Sequence, residues 1–160
     1  MQDMLVRLLD LPDIVEDEKR LLEEKDIYFR RPIAPEKNIV SDWVVTHFSA
    51  YWQAEVEVAF SFHPVHCFIA QKGDEILGFS CYESTAKNFF GPTGVVDEQR
   101  GLGIGRLLLI KSLLALKEMG YAYAIIGGVG PASYYEKAVG AKVICGSEKS
   151  VYEHLIRRKR

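Results

Sequence analysis

No stretch of this chain approaches the ~18 consecutive apolar residues of a membrane-spanning helix, so the sequence predicts no membrane partner. Cysteine is scarce. Cys67, Cys81 and Cys145 are odd in number, widely spaced and free of any Cys-x-x-Cys pair, which suits reduced thiols in a cytoplasmic protein better than a disulfide framework. Neither sign of charge dominates: 20 Lys+Arg face 22 Asp+Glu, a net charge of −2, so electrostatics make no case for nucleic acid as the main partner. Repeats and low-complexity linkers are missing, and Asp3 and Asp10 near the N-terminus do not suit a signal peptide. Metal ligands are thin as well. His63 and His66 have a His-x-x-His spacing, but no Cys, Asp or further His completes a set, so no metal is expected.

The phosphate-binding motifs that are absent matter equally. No Gly-Lys-Ser or Gly-Lys-Thr occurs, which removes the P-loop. Gly101, Gly103 and Gly105 are spaced one residue too tightly for Gly-x-Gly-x-x-Gly, and no acid follows near Gly120 to hold a ribose. What remains is a chain of 160 residues, 48% hydrophobic and 26% charged, a composition and length that predict one globular domain.

Its most informative stretch runs from Gly94-Val95-Val96 through Asp97-Glu98-Gln99-Arg100 into Gly101-Leu102-Gly103-Ile104-Gly105-Arg106 and a leucine-rich segment. A strand, a polar turn and alternating glycines pass at once into a helix. Glycines turn sharply and leave amides uncovered, and a helix start adds unpaired donors and a positive dipole end. Together these make a site for a phosphate-bearing ligand.

Around that turn the pattern predicts strands at 4–9, 27–31, 67–71, 75–82 and 121–127. A charged helix should open at Pro12-Asp13 and reach about Lys25, followed by helices over roughly 36–48 and 49–62. In the last of these, Trp52, Val56, Ala59 and Phe60 recur at helical spacing and should face the sheet. Lys72-Gly73-Asp74 joins a hairpin, while 88–90 and 93–96, broken by Gly91-Pro92, form a central strand.

The Arg-x-x-Gly-x-Gly pattern of Arg100, Gly103 and Gly105 resembles the coenzyme A site of the GCN5-related N-acetyltransferases, the GNAT family. The segment Ala132-Ser133-Tyr134-Tyr135-Glu136-Lys137-Ala138-Val139-Gly140 resembles that family's Tyr-Glu-Lys-Leu-Gly-Phe helix. The Phe89–Val95 run and Gly128-Val129-Gly130-Pro131-Ala132 are similar to those of a bacterial subgroup with no assigned substrate. Two departures stand: the family's frequent Asn before the tyrosine is absent, and one extra residue separates Tyr135 from Gly140.

The resemblance implies an α/β fold, a mixed and mostly antiparallel central sheet flanked by helices, in one domain over 1–160. Residues 27–160 would be the acetyltransferase core and 1–26 a β-α extension. It implies acetyl-CoA as co-substrate, with no metal, and transfer of its acetyl group to a primary amine on a small molecule or peptide. The alternative is an acyl-CoA-binding sensor without turnover. A homodimer stays open. Thr93, Gly94, Val95, Val96, Arg100, Gly101, Leu102, Gly103, Ile104, Gly105 and Arg106 would hold the coenzyme, with the oxyanion donor being the backbone N–H of Val95 or Val96.

Elementary chemistry fixes what else is needed. An alkylamine of pKa about 10.4 is protonated at pH 7 and must lose a proton before attack. The leaving thiolate needs a proton donor, and the resemblance offers the Tyr135 phenol, with Tyr134 then facing elsewhere on the helix. Glu83, at the end of its strand, is the candidate base or else a solvated carboxylate. Glu55 and Glu57 are further candidates or surface charges. The tail Arg157-Arg158-Lys159-Arg160 reads as a solvated terminus or an acidic-partner contact.

Overall fold

The computed structural model describes residues 1–159. Strands β1 (Met4–Arg7), β2 (Tyr28–Arg30), β3 (Cys67–Lys72), β4 (Glu75–Tyr82), β5 (Phe89–Val95), β6 (Tyr123–Ile126) and β7 (Lys142–Val143) form one sheet. Helices α1 (Val15–Lys25), α2 (Lys37–His47), α3 (Ala50–Ala59), α4 (Ile104–Glu118) and α5 (Ala132–Val139) flank it. The strand order is β2-β3-β4-β5-β6-β1-β7, antiparallel throughout except for the β5–β6 pair. The expected mixed, mostly antiparallel sheet is therefore present. The fourth residue of the Arg157–Arg160 tail lies outside the described residues, and its first three are exposed.

Two apolar cores lie on the two faces. On one face α4 presents Ile104, Leu107, Leu108, Leu109, Ile110, Leu113 and Leu116, all buried, against Ala70, Leu77, Tyr82 and Phe90, with Leu21 of α1 and Val139 of α5 completing the layer. A helix apolar on most sides has to be covered on most sides. Asp17 and Glu18 of α1 pair with Arg106 and Lys111 of α4 at 3.1 and 2.8 Å, which seats α1 over it. The one polar break, Ser112, bonds the buried Ser80 hydroxyl at 2.7 Å, and that pair also reaches the Leu108 carbonyl.

On the other face Val44, Val56, Ala59 and Phe60 of the α2–α3 layer pack on Cys67, Ile69, Phe79 and Cys81. Trp43, Phe48, Trp52 and Phe79 cluster with ring centroids 5.2 to 6.1 Å apart. Trp43, Phe48 and Trp52, partly buried, pack against that core. Ser49 caps α3 by accepting the Trp52 N–H at 3.2 Å.

The segment read as an extension is woven into the sheet. β1 lies between β6 and β7, pairing Met4 with both Ile126 and Val143, and Met4, Val6 and Leu8 are fully buried. Asp3 anchors it: its carboxylate accepts the Gly128 N–H at 2.8 Å and its own N–H donates to Ser147 Oγ at 2.9 Å. Cys67 and Cys81 are buried on neighbouring strands as expected, whereas Cys145 is exposed.

Gly94 shows how tightly the second face is packed. A Cβ there would lie 2.4 Å from Cζ of Phe48, whose ring is held by Trp43, Trp52 and Phe79. Gly94→Ala is expected to cost about 1–3 kcal/mol in denaturant unfolding. Adding Phe48→Leu to the alanine variant should recover part of that loss, and a strictly additive double variant would disprove the clash.

Candidate active site

The sheet opens at its centre. β5 and β6 run parallel but pair only at Phe89 with Ile125 and Phe90 with Ile126. Beyond that point β5 stays with β4 through Thr93, Gly94 and Val95, while β6 stays with β1. Pro92 has no N–H to offer across the gap, and the Gly128 N–H is already given to Asp3. The Val96 N–H donates to the Leu77 carbonyl at 3.0 Å. Alternation along the strand then turns the N–H groups of Thr93 and Val95 to the opposite edge, into the split. Of the two candidate oxyanion donors, Val96 is committed to the sheet and Val95 is free.

At the end of β5 a single 3₁₀ turn, Asp97–Gln99, leads into the glycines. Gly101 and Gly103 take φ of +87° and +88°, the left-handed region that favours glycine, and a Cβ on either would meet nothing within 4 Å. The first intrahelical bond of α4 runs from the Leu107 N–H to the Gly103 carbonyl at 3.1 Å. The amides ahead of it, Ile104, Gly105 and Arg106, therefore have no partner in the helix. They form an open cradle of donors at the positive end of a 15-residue helix. The Arg100 guanidinium is exposed and, among the described residues, paired only with Asp97 at 3.1 Å, so it can turn to an anion, whereas that of Arg106 is held by Asp17.

Helix α5 lies beside the first turn of α4, and Tyr134 is the tyrosine that faces that turn. The Tyr134 hydroxyl lies 3.6 Å from where a Cβ on Gly105 would sit. Tyr134 therefore reaches across to the first turn of α4 instead of facing elsewhere. Tyr135 packs against the α4-side core, and its ring meets that of Tyr134 edge-on at 5.1 Å. Burial, and next the Tyr134 phenol, push the Tyr135 phenol up to about 12. Burial also raises Tyr134, with the Arg106 charge pulling it back. Both hydroxyls lack a hydrogen-bond partner among the described residues, and both stay protonated near neutral pH.

The other candidates separate. Glu83, at φ +55°, accepts the Asn88 N–H at 3.0 Å while its own N–H donates to Phe89. It also sits beside the Tyr121 phenol, which it raises. Its carboxylate shapes the turn into β5. Glu57 accepts from Ser41 at 2.9 Å and ties α3 to α2. Glu55 is half-buried and accepts the Thr85 hydroxyl; burial raises its carboxyl, with the Thr85 hydrogen bond opposing. His66 is buried, stacked between Phe62 and Tyr82 at 3.9 and 4.4 Å, and burial lowers its imidazole; His63 is exposed. Among the described residues no group of three or more His, Cys, Asp or Glu gathers for a metal.

No profile of a known protein family matches the chain, and no curated protein matches it. Solved structures do. A GCN5-related glucosamine N-acetyltransferase region of a fungal multi-domain GH3 β-N-acetylglucosaminidase aligns over 89% of this chain and 19% of its own, at a TM-score of 0.70 and 18% identity. The fold is that of the GCN5-related N-acetyltransferases. One such protein from Sphaerobacter thermophilus aligns over 89% of this chain and 48% of its own, at a TM-score of 0.66 and 19% identity. A GNAT family acetyltransferase from Brucella melitensis, solved with acetyl-CoA, aligns over 74% of this chain and 86% of its own, at a TM-score of 0.52 and 18% identity. This chain thus spans about a fifth to a half of the first two proteins it resembles.

The glycine cradle suggests a substitution that spares the fold. A Cβ on Gly105 would meet Val95 and the Tyr134 hydroxyl at ordinary contact distances of 3.5 and 3.6 Å. Gly105→Ala should therefore fold as well as the parent or gain up to about 1 kcal/mol from helix propensity. Were the cradle to hold acetyl-CoA, the variant's affinity should nonetheless fall about tenfold, roughly 1.4 kcal/mol by calorimetry, because the methyl group narrows the groove. Undiminished affinity would separate Gly105 from ligand binding.

Proposed function

We propose that this protein is an acetyl-CoA-dependent N-acetyltransferase that acetylates a primary amine. The observation that carries the reading is the cradle of free amides from Gly101 to Arg106 beside a split sheet whose β5 edge is unpaired at Thr93 and Val95. A pyrophosphate suits the first feature, and a chain of amide groups, paired like an added strand, suits the second. The residues present fit coenzyme A. When bound, acetyl-CoA supplies an acetyl group activated as a thioester.

The chain's own groups then take defined parts. Leu102, Ile104 and the three glycines hold the pyrophosphate through backbone N–H groups, and Arg100 adds a charge-assisted bond. Gly94 keeps β5 flat against Phe48, and Thr93 and Val95 align the pantetheine arm. The Val95 N–H is the donor aimed at the developing oxyanion. Tyr135 donates the proton that the departing sulfur needs, and its raised pKa keeps that proton in place across the working pH range.

Calorimetric titration with acetyl-CoA, beside a thiol-release assay over a panel of primary amines, tests this. Binding with amine-dependent release is the expected result. Binding without release by any amine would favour an acyl-CoA sensor, and no binding would remove the assignment. Tyr135→Phe should bind acetyl-CoA normally and lose about 10²–10⁴-fold in kcat, with Tyr134→Phe as the comparison. Equal turnover in Tyr135→Phe and the parent would take the phenol out of the mechanism.

A further inference from the structure

One carboxylate stands out once Glu83 and Glu57 are accounted for. Glu55 lies on α3, on the sheet face opposite the glycine cradle. Phe48, just before α3, rests on Gly94 near the end of β5. The Ala59 carbonyl, at the far end of α3, accepts the His66 N–H, and His66 bonds Tyr82, the partner of Phe90. α3 therefore runs along β5 from Gly94 towards Phe90, and Glu55 falls midway, level with the opening of the split.

Its neighbours come from three parts of the chain. The Thr85 hydroxyl donates to Glu55 and also faces the Tyr152 phenol. Tyr152 in turn rests on the start of the gap: its hydroxyl lies 3.1 Å from the Cβ position of Gly127, and its ring 3.4 Å from that of Gly128. The buried thiol of Cys81 approaches from β4. Among the described residues no cation pairs with Glu55. A half-buried carboxylate without a cation is costly to ionise and is stabilised by a positively charged guest.

We propose that Glu55 is the group that receives the acceptor's ammonium and takes its proton, with Thr85 and Tyr152 forming the wall of the acceptor pocket. The inference rests on the acetyltransferase reading. The acceptor is then a cationic primary amine that enters from the α3 face while the coenzyme lies on the α4–α5 face, and the two meet through the split. The acceptor R–NH₃⁺ gives one proton to a Glu55 carboxylate oxygen. Its freed electron pair forms the C–N bond to the acetyl carbon as the C–S bond breaks. The sulfur acquires a proton from Tyr135, which is replenished by the second proton leaving nitrogen. Glu55 passes its proton to water, so the products are an amide, a thiol and one proton.

The pH dependence follows with a definite sign. Burial raises the Glu55 carboxyl above 4.5, and only its ionised form accepts a proton, so turnover should rise with pH through a shifted carboxylate titration. The other titratable groups facing Glu55, Cys81 and Tyr152, are both shifted upward and stay neutral across that limb.

The test compares the parent with Glu55→Gln, an isosteric change that keeps the contact with Thr85. Acetyl-CoA affinity is read by calorimetry, thiol release with glucosamine, spermidine and lysine, and the carboxyl titration by ¹³C NMR. Glu55→Gln should bind acetyl-CoA as tightly as the parent, lose about 10²–10⁴-fold in kcat at pH 7, and lose the acidic limb of the pH profile. The same amines should shift the Glu55 carboxyl resonance of the parent. Equal turnover in the two proteins overturns the proposal, as does a carboxyl that titrates in the ordinary range. Where none of the amines is turned over, a resonance unmoved by all of them also overturns it. A parent that fails to bind acetyl-CoA instead brings down the acetyltransferase reading itself.

Discussion

The structure depends on one unmade pairing. β5 and β6 are neighbours in the sheet, yet their ladder stops after two residue pairs. Backbone donors and acceptors left unpaired inside a protein are costly unless something else meets them. Here β5 is held by β4, and β6 is drawn the other way by β1 and by the Asp3 carboxylate on Gly128. The gap is therefore maintained by competing bonds on both flanks. The glycine cradle lies at the end of β5, beside the gap.

The two faces of the gap differ in charge logic. On the α4 side the offering is positive without a bound cation: backbone N–H groups and a helix dipole, with Arg106 neutralised by Asp17 and Arg100 at the rim. On the α3 side it is negative, the Glu55 carboxylate with only neutral polar neighbours in Thr85, Tyr152 and Cys81. A sheet that keeps its donors and its acid on opposite faces also keeps them from neutralising each other. Screening by the intervening apolar layers is weak compared with water, so both fields persist at the split.

Much of this was legible in the sequence where the signal was local. The Gly101–Gly105 turn declared itself because alternating glycines stand between a strand and a leucine-rich helix, and the 67–82 hairpin followed from its Lys72-Gly73-Asp74 turn. The place of Met4–Arg7 was hidden, since period-2 patterning marks a strand without naming its neighbours. Glu83 and Glu55 illustrate the same limit. Both are strand- or helix-borne acids in the sequence, and only the fold gives one to the Asn88 amide and the other to the Thr85 hydroxyl. Adjacent tyrosines on a helix diverge, and here Tyr134 reaches the first turn of α4 while Tyr135 packs into the core.

The position of β1 also sets an order of events during folding. Met4 pairs with residues near Ile126 and Val143, so the first strand made is among the last that can be used. Contacts so far apart in the chain reward the chain only after the loop between them has closed, and so form late. Until β6 and β7 emerge from the ribosome, Met4, Val6 and Leu8 remain an apolar strand without a partner, and the side of the sheet that holds the gap open is unfinished. The split sheet is therefore completed only by the final third of the chain, all at once.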